Sequence, residues 1–128
     1  MPTVLVVDDE QPIVDLVRFT LEDEQVRVVA AADGFEALEA AREHLPELIF
    51  LDVRMPHLDG FEVCRRLRLD SELGKTRIVM LTAATQESDR ALGQAAGADE
   101  YLTKPFSPLK LLSLVQALLP GVVLWPAK

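Results

Sequence analysis

Two stretches of the chain indicate its fold, Val-Leu-Val-Val-Asp-Asp at residues 4–9 and Leu-Ile-Phe-Leu-Asp at residues 48–52. Each is an unbroken run of aliphatic or aromatic residues that ends in carboxylates. An apolar run of this length is typical of a strand buried on both faces, as in a parallel sheet. Ligands of open parallel sheets bind just beyond the carboxyl ends of the strands. The two stretches therefore predict an acidic site at one edge of a sheet.

Three carboxylates, Asp8, Asp9 and Asp52, would meet at that edge if the two strands are neighbours. Three anions held together repel one another, so the cluster calls for a cation. An all-oxygen ligand set favours a hard one such as Mg²⁺. Asp8 and Asp9 could instead only cap the following helix. Asp52 is harder to explain as a cap, because residues 53–56 after it are predicted to form a loop.

The composition is typical of a single acidic globular domain. The 128 residues are 49% hydrophobic and 27% charged, with a formal net charge of −8. This charge opposes direct nucleic-acid binding, which needs a basic face. No apolar run approaches the roughly 18 residues of a membrane span, and no signal-peptide pattern is visible. A single cysteine, Cys64, excludes an internal disulfide and fits a reducing compartment. We therefore expect a cytoplasmic protein without membrane contact.

Strand and helix patterns alternate five times along the chain. Strands are predicted at about 3–7, 26–30, 48–51, 78–81 and 101–103, and helices at 12–24, 35–43, 61–69, 87–96 and from Pro108 to the Pro120-Gly121 pair. Asp33 is predicted to cap the second helix. Alternating elements with short loops predict right-handed βαβ units, and hence an α/β fold with a parallel sheet between two helix layers.

Further polar residues follow the other predicted strands. Thr82 ends the fourth strand and Lys104 follows the fifth, so both are expected at the edge that holds Asp8, Asp9 and Asp52. Considered without the other residues, Thr82 would indicate only a cap and Lys104 only a surface lysine. Together, carboxylates beside a cation, a fixed ammonium and a hydroxyl supply what a phosphoryl acceptor site needs.

These residues resemble the receiver domain of two-component response regulators over roughly residues 2–119. The matching stretches are Val-Val-Asp-Asp-Glu at 6–10, Leu-Asp-Val-Arg-Met-Pro-His-Leu-Asp-Gly at 51–60, Leu-Thr-Ala at 81–83 and Gly-Ala-Asp-Glu-Tyr-Leu-Thr-Lys-Pro-Phe at 97–106. The resemblance implies a doubly wound, flavodoxin-like sheet of five parallel strands in the order 2-1-3-4-5, with helices on both faces. It also implies a receiver domain over residues 1–120, with residues 121–128 as a tail or the stump of a linker.

The resemblance assigns roles by position. Asp52 would accept a phosphoryl group from a phosphohistidine on a sensor histidine kinase or a phosphotransfer protein. Asp9 would bind Mg²⁺ directly and Asp8 mostly through water, with Asp52 and the backbone carbonyl of Arg54 as further ligands. Lys104 would pair with a phosphoryl oxygen. The chain would then be a signalling switch that promotes its own phosphorylation and dephosphorylation, and not an enzyme acting on an outside substrate.

Three residues would form the switch. Thr82 would move to hydrogen-bond the phosphoryl group, and Tyr101 would rotate into the space that Thr82 vacates; the alternative for Tyr101 is a simple half-buried strand aromatic. Pro105 would follow Lys104 through a cis peptide bond. The change would reach a face made by the fourth helix, the fifth strand and the last helix, which would bind an output protein or a second copy of the chain.

The last helix departs from the relatives that it most resembles. Segment 97–108 looks closest to receivers that carry a winged-helix DNA-binding domain, which usually pair charged residues across a dimer. Here Leu114 and Gln116 stand at the usually basic positions and Lys110 at a usually acidic one. The charge-paired dimer of those relatives is therefore not expected in the same form.

The apolar arc of the last helix is wide. Residues 111, 114, 115 and 118 are predicted to face the core, with Leu109 and Leu112 at or beyond the edge of that stripe. A broadly buried helix would explain such an arc, and so would a protein-contact surface.

The lifetime of the phosphorylated state follows from two other positions. Receivers often orient the hydrolytic water with polar side chains two residues past the acceptor and two past the switch threonine. These positions hold Arg54 and Ala84 here, which predicts a long-lived phosphoryl group.

A phosphorylated switch has two alternatives. A hydrolase of the haloacid-dehalogenase kind also uses a strand-end aspartate with Mg²⁺, but it needs Asp-x-Asp after its first strand. Here Asp8 and Asp9 are adjacent and Asp52 is distant. A receiver-like scaffold that binds partners without phosphorylation is the other alternative, although every chemically required residue is present.

Overall fold

The computed structural model describes residues 2–23, 25–83, 87–119 and 121. Within them the strands are β1 (Thr3–Val7), β2 (Arg27–Ala31), β3 (Leu48–Asp52), β4 (Arg77–Ala83) and β5 (Glu100–Lys104), and the helices are α1 (Gln11–Leu21), α2 (Gly34–His44), α3 (Gly60–Leu69), α4 (Glu87–Ala96) and α5 (Pro108–Leu118). The strands form one parallel sheet in the order β2-β1-β3-β4-β5. The predicted fold class and strand order are confirmed.

The sheet separates two hydrophobic cores, because successive strand residues point to opposite faces. Leu5 and Val7 of β1 pack with α2, α3 and α4 on one face. Val4 and Val6 pack with α1 and α5 on the other. All five residues of β1 are buried, as are all five of β3. The strands that lead to the predicted site are thus anchored from both sides, which limits their movement.

Most element boundaries agree with the predicted ones to within a few residues, and α1 shows the largest shift. It ends at Leu21 and not at residue 24, because Asp23 starts a turn of its own. Asp23 Oδ1 accepts hydrogen bonds from Gln25 N at 2.7 Å and Val26 N at 2.9 Å. Such side-chain to backbone bonds compete with helix continuation. The predicted cap of α2 is confirmed, since the Asp33 side chain accepts from Glu36 N.

The burial of α5 differs from its predicted pattern. Leu112 is 7% exposed and belongs to the core, so its predicted place at or beyond the edge of the stripe is wrong. Leu114 is only partly buried. The helix turns Leu111, Leu112 and Val115 together toward the sheet and α1, while Leu109 is 68% exposed. The wide apolar arc is therefore explained largely by burial. Of the two leucines predicted at or beyond the edge of the stripe, only Leu109 is exposed.

Among the described residues no helix combines the length and apolarity that crossing a membrane requires.

Candidate functional site

Two of the predicted site residues, Asp8 and Asp52, converge on the ammonium of Lys104. Its Nζ lies 2.7 Å from Asp8 Oδ2, 3.1 Å from Glu10 Oε1 and 3.5 Å from Asp52 Oδ1. Asp8 is 2% exposed and Asp52 is 4% exposed. Two buried carboxylates, one directly after β1 and one in β3, thus share one cation. This arrangement requires the fold, since 94 positions separate Glu10 from Lys104.

Sheet register explains how these side chains meet. Val7 of β1 pairs with Leu51 of β3, so the residues that follow them, Asp8 and Asp52, lie side by side. Lys104 pairs with Ala83 at the same edge of the sheet. The peptide bond between Lys104 and Pro105 is cis, as predicted. Asp52 and Lys104 belong to β3 and β5 themselves, whereas the sequence suggested that both strands end just before them.

Asp52 has a perturbed acidity. Burial raises its pKa from 3.8 to about 6, and the negative charge of Asp8 adds to the rise. The ammonium of Lys104 and the Arg54 N–H, which donates to Asp52 Oδ1 at 3.2 Å, both lower the pKa and offset part of that rise. Burial disfavours the charged form of this carboxylate, but the carboxylate is still ionised near neutral pH. Such a group is suited to act as a nucleophile.

Lys104 is correspondingly held in its charged form. Burial by itself would lower the pKa of Lys104, but its contacts with Asp8, Asp52 and Glu10 outweigh that effect and leave the pKa raised. The lysine therefore supplies a permanent positive charge next to Asp52, where an incoming anion would need one.

The carboxylates of Asp8, Asp9 and Glu10 suit a hard cation. One oxygen from each lies within 4.8 Å of the others. Asp8 Oδ1 accepts from Glu10 N at 2.9 Å, while the buried Oδ2 contacts the Lys104 ammonium without a well-directed hydrogen bond. This all-oxygen set, with more negative charge than Lys104 neutralises, fits Mg²⁺. Glu10 was not predicted as a site residue, although it directly follows Asp8-Asp9 and ends the family-like stretch at 6–10.

An open pocket marks the place where a ligand would sit. It is lined by Asp9, Glu10, Asp52, Val53, Arg54, Ala83 and Lys104. Gly60 at the start of α3 packs closely against two of these residues, because a side chain at that position would collide with the backbone of Asp52 and Val53. The predicted metal and acceptor residues thus reach one pocket or, for Asp8, contact the lysine that lines it.

Two predicted switch residues, Thr82 and Tyr101, are not among the residues that line this pocket. Thr82 is buried in β4, and Tyr101 is packed on α4. The Tyr101 hydroxyl donates to Arg90 O at 2.5 Å, and the Arg90 guanidinium lies 5.2 Å from the centre of the ring. The contacts of Tyr101 agree with its place as a half-buried strand aromatic, and its inward rotation stays a prediction. Ala84, the other position predicted to control phosphoryl lifetime, lies outside the described residues.

One buried acid was missed entirely. Asp89 of α4 has a fully buried side chain whose Oδ1 lies 2.7 Å from Arg54 Nη2. Nothing in the sequence marks this aspartate, because an acid in the first turn of an amphipathic helix is usually exposed. Its burial depends on how α4 packs beside the loop after β3.

Comparison with known proteins gives this geometry a context. The family described as "Response regulator receiver domain" matches residues 4–116. The Bacillus subtilis (strain 168) alkaline phosphatase synthesis transcriptional regulatory protein PhoP is 48% identical over 116 residues, which make up 91% of this chain and 48% of that protein. The chain thus spans about half the length of this curated relative.

Solved structures agree in fold. The chemotaxis response regulator CheY4 of Vibrio cholerae superposes with a TM-score of 0.86 at 41% identity, covering 93% of this chain and 99% of that one. The BeF3-activated receiver domain of DrrB gives a TM-score of 0.83 at 32% identity, with coverage of 94% and 98%.

Proposed function

Since the chain belongs to the response regulator receiver domain family, we propose that it is a phosphorylation-dependent switch in which Asp52 is the phosphoryl acceptor. The observation that carries the proposal is the placing of Asp52, Asp8 and Glu10 around the single ammonium of Lys104. The donor would be a phosphohistidine on a sensor histidine kinase or a phosphotransfer protein in the cytoplasm.

Each site residue has a task in the proposed transfer. The ionised carboxylate of Asp52 attacks the phosphorus atom, and the donor nitrogen leaves with the electron pair of the broken bond. Lys104 balances charge on a phosphoryl oxygen, which its position between Asp8 and Asp52 makes feasible. Asp8, Asp9, Asp52 and the Arg54 carbonyl would hold Mg²⁺, with Glu10 close by. A bound Mg²⁺ would neutralise charge on the phosphoryl oxygens.

The output of the proposed switch would involve Thr82 of β4 and Tyr101 of β5. Thr82 would turn toward the phosphoryl group, and Tyr101 would leave its contact with Arg90 to move inward. The face of α4, β5 and α5 would then change shape and bind an output protein or a second copy of the chain. The PhoP relative is described as a transcriptional regulatory protein, which supports a role in relaying a signal. The net charge of −8 opposes direct contact between this domain and nucleic acid.

Intact mass spectrometry tests the acceptor assignment. In Mg²⁺ and acetyl phosphate the wild type should gain one phosphoryl group, and Asp52→Ala should gain none. Asp15→Ala, which removes an exposed carboxylate from α1, should behave like the wild type. Phosphorylation of Asp52→Ala would refute the assignment. Many turnovers on a simple phosphate ester would support the hydrolase alternative, and a wild type that never gains mass would support the scaffold alternative.

A further inference from the structure

Arg54 and Asp89 form an ion pair that joins the loop after β3 to the first turn of α4. Arg54 Nη2 lies 2.7 Å from Asp89 Oδ1, across 35 positions of sequence. The Asp89 side chain is 0% exposed, whereas the Arg54 side chain is 63% exposed. Within the part of the chain that the structure describes, Asp89 Oδ2 has no hydrogen-bond partner. A buried carboxylate with one oxygen unsatisfied depends strongly on the cation it does have.

The same arginine also contacts the acceptor. Arg54 N donates to Asp52 Oδ1 at 3.2 Å, and Arg54 lines the pocket that holds Asp52 and Lys104. Phosphorylated Asp52 would carry roughly two negative charges in place of the single charge of its free carboxylate. The phosphoryl oxygens match the forked donors of a guanidinium. Arg54 would then have two anionic partners, the phosphoryl group in the pocket and the buried carboxylate of Asp89 in α4.

We propose that Arg54 is a positioning residue that couples phosphorylation of Asp52 to α4, because the phosphoryl group and the buried carboxylate of Asp89 compete for its guanidinium. This inference rests on the proposed function of Asp52. Before phosphorylation the ion pair holds the first turn of α4 against the loop. When the guanidinium turns to the phosphoryl group, Asp89 is left buried without its cation. The first turn of α4 then relaxes until that carboxylate reaches water.

Competition has a measurable consequence, since coupling between two sites is reciprocal. Removing the charge of Asp89 weakens its attraction for the Arg54 guanidinium, so Asp89→Asn should bind beryllofluoride, a phosphoryl mimic, at least about fivefold more tightly in saturating Mg²⁺. Arg54→Met should bind it more weakly, and adding Asp89→Asn to Arg54→Met should change nothing further. Arg54→Lys should keep part of the coupling, since it retains the charge without the fork.

The affinities can be measured by ¹⁹F NMR of the bound mimic. Glu39→Gln is the matched control, because it removes an exposed carboxylate of α2 and should leave the affinity unchanged. If Arg54→Met does not fold, Arg54→Lys replaces it in the cycle, and there Asp89→Asn should have a smaller effect than in the wild type. An equal effect of Asp89→Asn with and without the Arg54 side chain would overturn the inference. A wild type with no bound signal at all would instead count against the proposed function of Asp52.

Hydrogen exchange supplies a readout that a merely structural ion pair would not give. Beryllofluoride should raise amide exchange in the first turn of α4 severalfold in the wild type. In Arg54→Met that turn should already exchange quickly, with no further rise on adding the mimic. Exchange that rises equally with the mimic in both proteins would show that α4 is released by another route, and would also overturn the inference.

Discussion

Asp52 is buried beside Asp8, and its raised pKa makes its charge unfavourable for folding. The folded pKa is about 6, against an ordinary 3.8. Between these two values the native protein binds more protons than the unfolded chain. The free energy of unfolding therefore decreases as pH rises through this window, and the loss is complete above it.

Asp52→Asn should remove this penalty. We expect the variant to exceed the wild type in free energy of unfolding by about 2–3 kcal/mol near neutral pH, from roughly 1.4 kcal/mol per unit of pKa. The difference should shrink toward about pH 4, where the unfolded carboxyl is protonated as well. Urea denaturation across this range, without divalent cations, measures it. A gap that does not change with pH would show that packing and not charge separates the two proteins.

At the scale of elements, α4 and β5 meet at a glycine. A Cβ on Gly93 would lie 2.9 Å from Tyr101 Cε1 and 3.2 Å from Met80 Cγ. The glycine therefore gives Tyr101 the space in which it reaches the carbonyl of Arg90. Replacing glycine by alanine at an unhindered helix position would normally raise the free energy of unfolding by about 1 kcal/mol. A decrease for Gly93→Ala would therefore show that the added methyl group is crowded by Tyr101.

Gly93→Ala should lower the free energy of unfolding by about 1 kcal/mol, since overpacking by roughly 1–3 kcal/mol exceeds the gain in helix propensity. In a Tyr101→Ala background the same substitution should be neutral or stabilising, because the closest contact is gone. Thermal or urea unfolding of the four proteins measures the interaction. Stabilisation in the presence of Tyr101 would contradict the tight packing.

The α5 helix offers a second test at this scale, because two of its leucines, three positions apart, have opposite environments. Leu112 is in the core and Leu109 is 68% exposed. Leu112→Ala should cost about 2–5 kcal/mol of unfolding free energy, and Leu109→Ala should cost little. Denaturation of the two variants measures this difference in unfolding free energy directly.

Association through α5 should depend on Leu109. We expect Leu109→Glu to weaken self-association of the beryllofluoride-activated protein while leaving its stability near that of the wild type. Sedimentation at low and high salt measures this, because an apolar contact is only weakly salt-sensitive. Dimers that dissociate in high salt would indicate charge pairing instead, and a monomer under all conditions would leave a heterologous partner.

At the scale of the whole molecule, the net charge of −8 and the acidic pocket both favour a bound cation. Mg²⁺ that binds only the native state should raise the free energy of unfolding by about 2.7 kcal/mol at a hundred times its Kd. Asp9→Asn should reduce this shift most, since Asp9 is the expected direct ligand. Calorimetry with and without Mg²⁺ measures the shift, with Asp15→Asn as control. A midpoint that Mg²⁺ does not move would contradict a metal site here.

Local patterns in the sequence determined the architecture and most of the site. Apolar runs such as residues 4–7 and 48–51 predict buried parallel strands, and their register then places Asp8 and Asp52 together. The convergence of Lys104 on these acids was likewise predictable, because parallel strands end at a common edge. Such features depend on residues close together in the chain, or on the rules that arrange whole strands.

Only the tertiary structure decided which contacts cross between elements. The ion pair of Arg54 with Asp89 joins residues 35 positions apart. The contact of Glu10 with Lys104 and the burial of Leu112 likewise depend on neighbours far along the chain. Periodicity predicts that a helix has an apolar face, but it does not place the edge of that face to within one residue. Packing against the sheet decides that edge, because burial depends on neighbours that the local sequence does not contain.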